Sequence, residues 1–249
     1  MNYDMIRTQV TSSLEQAGIM PVGPSKTAFR ATPGQDLARY FDHTLLKPEA
    51  RAGAFETLFA EAREHQVASV CVPPNRVAAA AAALKGSPVM VCTVVGFPLG
   101  YESTEAKQRT VELCDAAGCD EFDMVIPIGY LKDSDYAAVY SDIRGVVEVA
   151  GSKLVKVIIE TALLTDDEKA AASLCTVLAG AGMIKTSTGF AESGAALADL
   201  RLMRDIAGDT VGVKAAGGIR DLEFARRCIE AGADRLGASK TVQILSENR

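Results

Sequence analysis

The sequence predicts an α/β fold, a (β/α)8 TIM barrel with a short helical N-terminal extension. Three observations lead there. From Leu37 onward, short apolar runs alternate with amphipathic, Ala-rich stretches. There are eight of each, which favours a closed barrel built from βα units over an open sheet. The 249 residues also match the roughly 250 typical of one such barrel. The alternative is an open doubly wound sheet. Its glycine fingerprint is missing, because the first strand leads into Thr44-Leu45-Leu46-Lys47-Pro48.

Residues 1–36 read as an extension. Asn2 to Ala17 suits a short helix, Pro21-Val22-Gly23-Pro24 breaks it, and Pro33-Gly34 marks another turn. The extension is either laid on the outside of the domain or a partly ordered tail. Residues 37–249 form the barrel domain. Strands are expected near 39–43, 68–72, 89–95, 121–126, 154–159, 182–185, 211–215 and 234–237. Helices are expected near 49–65, 75–84, 103–117, 133–150, 166–180, 192–206, 221–231 and 240–247. Ser103 suits an N-cap, as does Thr165 with Glu168 as its capping-box partner. Gly118 and Gly232 suit helix C-termini. Runs such as Val155, Val157, Ile158 and Ile159 read as strands apolar on both sides, as expected for strands buried on both faces.

Composition narrows the function. Hydrophobic content is 48%, charged content 23%, and net charge -6. That is a soluble globular balance without the basic face of a nucleic-acid binder, though a small anionic substrate needs only a few local donors. The six cysteines form no C-x-x-C pair and several lie in apolar runs, so they read as buried hydrophobes in a reducing compartment. With only His43 and His65 present, no histidine-rich metal centre is available, and no metal is expected. There is no signal-peptide-like apolar region, and no run approaches the ~20 residues of a membrane helix. The protein reads as cytoplasmic, with no membrane or nucleic-acid partner. A homodimer is expected because closed two-fold pairs are the commonest assembly.

Barrel active sites lie at the C-terminal ends of the strands. Two lysines stand there on successive strands, Lys185 in Gly182-Met183-Ile184-Lys185-Thr186-Ser187-Thr188-Gly189 and Lys214 in Val211-Gly212-Val213-Lys214-Ala215-Ala216-Gly217-Gly218. If the strands are neighbours, repulsion between the ammonium groups would lower one pKa, and a neutral lysine amine attacks carbonyls to form a Schiff base. Asp42, Cys71 and Asp123 stand at the ends of strands one, two and four. Charges inside apolar strands need partners, so Asp42, Asp123, Lys185 and Lys214 suit a shared polar pocket in which a carboxylate moves protons. The competing reading is a purely structural ion-pair layer. Thr93, Lys156 and Glu160 either line the pocket or belong to packing and ion pairs. His43 reads as a packed, hydrogen-bonded histidine and His65 as solvated.

The glycine-rich loops Ala216-Gly217-Gly218 and Gly237-Ala238-Ser239 follow strands seven and eight, where barrel enzymes often bind phosphate. Glycines let N–H groups approach an oxyanion, and the following helix starts would add a favourable dipole. Ser187, Thr188 and Gly189 suit a third wall.

At these residues the chain resembles the deoxyribose-phosphate aldolases. The similarity is carried, in order, by Phe41-Asp42-His43-Thr44-Leu45-Leu46-Lys47-Pro48, Ser69-Val70-Cys71-Val72-Pro73-Pro74, Val95-Gly96-Phe97-Pro98-Leu99-Gly100, Glu121-Phe122-Asp123-Met124-Val125-Ile126, Lys156-Val157-Ile158-Ile159-Glu160-Thr161, Lys185-Thr186-Ser187-Thr188-Gly189-Phe190, Lys214-Ala215-Ala216-Gly217-Gly218-Ile219-Arg220 and Gly237-Ala238-Ser239. The resemblance implies a metal-free class I aldolase without a cofactor that cleaves the sugar phosphate 2-deoxy-D-ribose 5-phosphate reversibly to acetaldehyde and D-glyceraldehyde 3-phosphate. It implies Lys185 as the Schiff-base lysine, Lys214 as the lysine that tunes it, and Asp123 as the carboxylate relaying protons through a water. It also implies Asp42 and Cys71 as pocket-lining residues, and Gly189, Gly217, Gly218 and Ser239 in the phosphate loops. The alternatives are a related Schiff-base lyase acting on another phosphorylated sugar or keto acid, and a non-catalytic sugar-phosphate-binding barrel. The chain departs from the family pattern at Lys240, where a second serine is common, at Tyr101, where small residues are common, and in the extension.

Overall fold

The computed structural model describes residues 3–25, 30–32 and 34–248. Strands of three to six residues are too short to stand alone, and here they close on one another. The strands are β1 Phe41–Thr44, β2 Ser69–Val72, β3 Met90–Val95, β4 Glu121–Val125, β5 Leu154–Ile158, β6 Met183–Lys185, β7 Gly212–Ala216 and β8 Arg235–Ala238. All are parallel and follow sequence order around a closed barrel, with β8 returning to pair with β1. The eight-stranded barrel expected from the sequence is the fold.

The helices are α1 Tyr3–Gln16, α2 Ala52–His65, α3 Val77–Leu84, α4 Thr104–Ala116, α5 Ile128–Lys132, α6 Tyr136–Ala150, α7 Asp166–Leu178, α8 Leu197–Ala207, α9 Leu222–Glu230 and α10 Thr241–Ser246. Helix α1 packs on α6 and α7, burying Ile6, Val10 and Leu14, so this part of the extension lies on the outside of the barrel. Asn2 and Pro33 lie outside the described residues. The capping expectations hold. Ser103 Oγ accepts from Ala106 N–H, and Thr165 with Glu168 forms the reciprocal capping box. Gly118 and Gly232 take the positive φ of helix ends, 95° and 109°.

Several boundaries differ from expectation. Residues 37–40 form a 3-10 turn capped by Asp36, whose carboxylate accepts from Ala38 N–H, so the first strand starts at Phe41. The segment expected as one helix over 133–150 is preceded by α5, and Ser134 at φ 59° forces a break before α6. Residues 192–196 stay outside the helix, with Ala195 N–H drawn to the carbonyls of Ala216 and Gly217, each at 3.0 Å.

The strands are buried on both faces, but only one face is uniformly apolar. The side chains that point away from the barrel axis, including Phe41, Val70, Val72, Phe122, Met124, Val155, Val157, Ile184, Val213 and Leu236, join one core with the helices. The alternating inward positions carry Asp42, Glu121, Asp123, Lys156, Lys185, Lys214 and Arg235, all buried. The reading of these strands as apolar on both sides is therefore corrected.

Candidate active site

Register places the charges. Lys185 and Lys214 are direct neighbours across β6 and β7, and Asp123 faces Lys156 across β4 and β5. Asp123 sits at the centre of the interior. Its Oδ2 accepts from Lys185 Nζ at 2.8 Å and from Lys214 Nζ at 2.7 Å. Its Oδ1 accepts from Lys156 Nζ at 2.9 Å and from the Cys92 thiol at 3.2 Å. Four donors thus use the acceptor capacity of one fully buried carboxylate.

A second tier lies beneath. Asp42 accepts from Lys214 through Oδ2 and from Arg235 at 2.5 Å through Oδ1. Lys156 Nζ also reaches Glu121 at 2.7 Å and Asp42 at 3.3 Å, and Arg235 contacts Glu121 at 3.3 Å. Burial alone would push these carboxylates up, but the cations around them win. Asp42 is driven down by Arg235, Lys156 and Lys214, and Asp123 by Lys156, Lys185 and Lys214. Burial likewise opposes the Lys214 ammonium, and Asp123 and Asp42 more than reverse it, raising its pKa. The repulsion expected between two adjacent lysines is thus answered by carboxylates, and Lys214 is held as an ammonium. Lys156 is raised in the same way, against burial, by Asp123, Asp42, Cys92 and Glu121.

Above this cluster opens a cavity of about 380 Å³. Lys185 lines it, together with Thr188, Gly189, Gly217, Gly218, Gly237 and Ser239. Lys214, Asp123, Asp42 and Cys71 lie below its surface, fully buried. Of the three interior lysines, only Lys185 reaches the cavity. Lys240 lines it as well, as do Lys47 and Arg220, two cations the sequence reading passed over.

Two loops are built by close approach. A Cβ on Gly194 would stand 2.3 Å from the carbonyl of Gly217, so the β6 and β7 loops touch backbone to backbone. Glu160, in the left-handed region at φ 56°, turns its carboxylate to Thr188, accepting from its N–H at 3.3 Å and from its hydroxyl. The Thr188 hydroxyl in turn accepts from Phe190 N–H at 3.0 Å. Thr188 therefore shapes the cavity wall with its hydroxyl already engaged, and Glu160 is a brace beneath it. The expected helix dipole at the seventh-strand loop is modified, because the Asp221 carboxylate already caps the start of α9, accepting from Phe224 N–H at 2.8 Å.

Lys156, left open by the sequence, is a member of the central ion-pair network. Thr93 is packed, its hydroxyl donating to the Val72 carbonyl at 2.8 Å. His43 is buried with Nε2 2.9 Å from Glu61 Oε2, as expected of a packed histidine, and His65 is half-buried at the end of α2. Glu121 and Arg235 were missed. Two donor groups, Cys71–Cys92–Asp123 and Asp42–Cys92–Glu121, have ligand atoms within 4.8 Å of one another. Lys156 Nζ already stands 3.3 Å from Cys92 Sγ and bonds to all three of these carboxylates, so a cation occupies the place a metal would take.

This arrangement has relatives. The profile of the DeoC/LacD family aldolases matches residues 37–242. The deoxyribose-phosphate aldolase of Streptococcus uberis is 53% identical over 208 residues, 84% of this chain and 94% of that one. That of Clostridium perfringens is 51% identical over 211 residues, 84% of this chain and 94% of the relative. The crystal structure of a putative deoxyribose-phosphate aldolase from Coccidioides immitis superposes with a TM-score of 0.87 at 36% identity, covering 100% of this chain and 98% of that one. The tetrameric deoxyribose phosphate aldolase of Aeropyrum pernix gives 0.80 at 29% identity, covering 97% of each. With interior lysines and carboxylates on a closed barrel, and a family match that spans the whole of it, the chain belongs to the DeoC/LacD family of aldolases.

Proposed function

We propose that this protein is a class I aldolase that reversibly cleaves 2-deoxy-D-ribose 5-phosphate to acetaldehyde and D-glyceraldehyde 3-phosphate, with Lys185 as the nucleophile. One observation carries the assignment: Lys185 is the interior lysine that reaches the cavity, while its ammonium partner Lys214 is sealed below it against two carboxylates.

The steps follow from that geometry. Once deprotonated, the Lys185 amine, whose Nζ lies 2.8 Å from Asp123, attacks the aldehyde carbon of the open-chain sugar. Loss of water leaves a protonated imine, which draws electrons from the C2–C3 bond as the 3-hydroxyl gives up its proton. Glyceraldehyde 3-phosphate departs, the remaining enamine is protonated at carbon, and hydrolysis releases acetaldehyde. Lys214 touches the same Asp123 oxygen as Lys185, so it stabilises the carboxylate and can return its proton. The phosphate is assigned to the cavity wall formed by Gly189, Gly217, Gly218, Gly237 and Ser239, with Lys47, Arg220 and Lys240 supplying positive charge. No cofactor enters this scheme.

We also assign the protein to the cytoplasm, since its six cysteines are buried and free. No helix among the described residues is long and apolar enough to cross a membrane. A homodimer is proposed, and sedimentation at several concentrations should give twice the mass of the chain.

Borohydride trapping tests the central step. The protein is incubated with 2-deoxyribose 5-phosphate, reduced, and mapped by peptide mass spectrometry. The expected result is a stable adduct on Lys185. An adduct on Lys214, or none on a folded protein that turns the sugar over, would overturn the assignment.

A further inference from the structure

Cys71 and Cys92 are directly paired in register on the adjacent strands β2 and β3. Strands in a sheet lie about 4.7–4.9 Å apart, inside the roughly 4.4–6.8 Å between Cα atoms that a disulfide spans. Both side chains point into the barrel, and their sulfurs lie within 4.8 Å of each other. Together with Val94 they form a small apolar cluster separate from the main core, covered by Leu46 and Phe97.

That cover is thin. Leu46, Val94 and Phe97 also line a second cavity, of about 460 Å³, beside the catalytic one. A small neutral molecule in this cavity is one side chain from the thiols. The two sulfurs differ in character. The Cys92 thiol beside it draws Cys71 down against burial, and Lys214 and Lys185 add to the effect. Burial holds Cys92 well above the ordinary thiol range. The remaining cysteines belong to the outer core, where burial pushes Cys119, Cys175 and Cys228 up to about 12.

We propose that Cys71 and Cys92 form an oxidisable thiol pair on the barrel interior, in which a small hydroperoxide converts the two thiols to a disulfide and reversibly switches the site off. The Cys71 thiolate attacks the terminal peroxide oxygen. An S–O bond forms, the O–O bond breaks, and the departing hydroxide or alkoxide takes a proton from the surroundings. The Cys92 sulfur then attacks the sulfenic acid. The S–S bond forms, the S–O bond breaks, and water leaves with the Cys92 proton. The two sulfurs give up two electrons in total, and the peroxide takes them. The link would also withdraw the Cys92 thiol from Asp123 Oδ1, to which it donates at 3.2 Å.

The test treats the purified protein with hydrogen peroxide and digests it without reduction. The expected product is a peptide pair linked through Cys71 and Cys92, absent after dithiothreitol, with turnover lost on oxidation and recovered on reduction. In Cys92→Ser, and independently in Cys92→Ala, oxidation should stop at sulfenic and sulfinic acid on Cys71, with no recovery beyond the sulfenic stage. A wild-type protein oxidised at Cys71 without the link, or only at the outer-core cysteines, would overturn the proposal. The linked peptide is read by mass and needs no substrate, so its absence is distinct from a failure of the aldolase assignment.

Discussion

The two faces of the same eight strands do opposite work. The outward face carries Phe122, Met124, Val155, Val157 and Val213, in continuous contact with the helices. The inward face carries Glu121, Asp123, Lys156 and Lys214, one residue away in each case. Outward burial is non-directional and favours folding in proportion to area. The inward charges cost desolvation that their mutual attraction must offset, so they are weak evidence for stability. What they supply is a set of amines and carboxylates held in position. The comparison teaches that the barrel's apolar packing and its chemistry are written on alternate residues, so the outward packing can be altered with limited effect on the chemistry.

The sharpest way to break this division is at Lys185. Lys185→Ala should abolish turnover of 2-deoxyribose 5-phosphate while circular dichroism and the melting transition stay close to wild type. Lys185 makes one salt bridge, so little of the network depends on it. Substantial turnover in a folded Lys185→Ala protein would refute the nucleophile assignment. Asp123→Asn comes next. It should lower kcat by roughly 10²–10⁴-fold, the usual range for a positioned general acid or base. It should also destabilise the chain by about 3–5 kcal/mol, because three buried lysines lose a charged partner. Unfolding in urea read beside kcat separates the two effects.

Much of this was legible in the sequence, and the omissions have a physical cause. The eight strands were legible from the alternation of apolar runs, and Lys185, Lys214, Asp123 and Asp42 were singled out because charges inside such runs need partners; the structure brings the four together. Arg235 and Glu121 were missed because each opens its strand, where a polar residue looks like the end of the preceding loop. Whether such a residue points in or out depends on the phase of the pleat, and a one-residue shift reverses it. The signal was present: Glu121 lies two residues before Asp123, Arg235 two before Gly237, and Lys156 stands between Val155 and Val157. Parity alone would have put all three inside. The brace from Glu160 to Thr188 and the backbone contact between Gly194 and Gly217 depend on which loops meet across the barrel mouth, which no local pattern encodes.

Phe122→Ala tests the outward face. It should cost about 3–5 kcal/mol in unfolding free energy, as expected for emptying a fully buried aromatic site. The kcat per folded molecule should change little, although Phe122 is adjacent to Asp123 in sequence. A large fall in kcat at full folding would mean that the two faces are coupled. The pH dependence of stability sharpens the same contrast. The pKa values of Asp42 and Asp123 are depressed on folding, so their contribution is present above the unfolded carboxylate value, about 4, and is lost as pH falls from there. Those of Lys156 and Lys214 are raised, so their contribution is complete below about 10.4 and is lost as pH rises beyond it. Stability should therefore be nearly flat between these limits as far as these groups determine it. The acid limb should shrink in Asp42→Asn if the variant folds, and melting curves from acid to alkaline pH check both limbs.

The smallest effect is expected at the cavity rim. Lys240 lines the cavity but is exposed, so its charge acts on the substrate's phosphate through water and salt. Lys240→Ser should raise KM for 2-deoxyribose 5-phosphate by at most about fivefold, in keeping with the modest strength of exposed ion pairs. The shift should fade at high salt. KM for unphosphorylated 2-deoxyribose should not move, and kcat should hold for both, because the reacting carbon sits at Lys185 and not at the rim. Equal KM changes for the two sugars would mean that Lys240 shapes the mouth of the cavity and does not pair with phosphate. An unchanged KM for the phosphorylated sugar would leave that charge to Lys47 and Arg220, the other two cations on the wall.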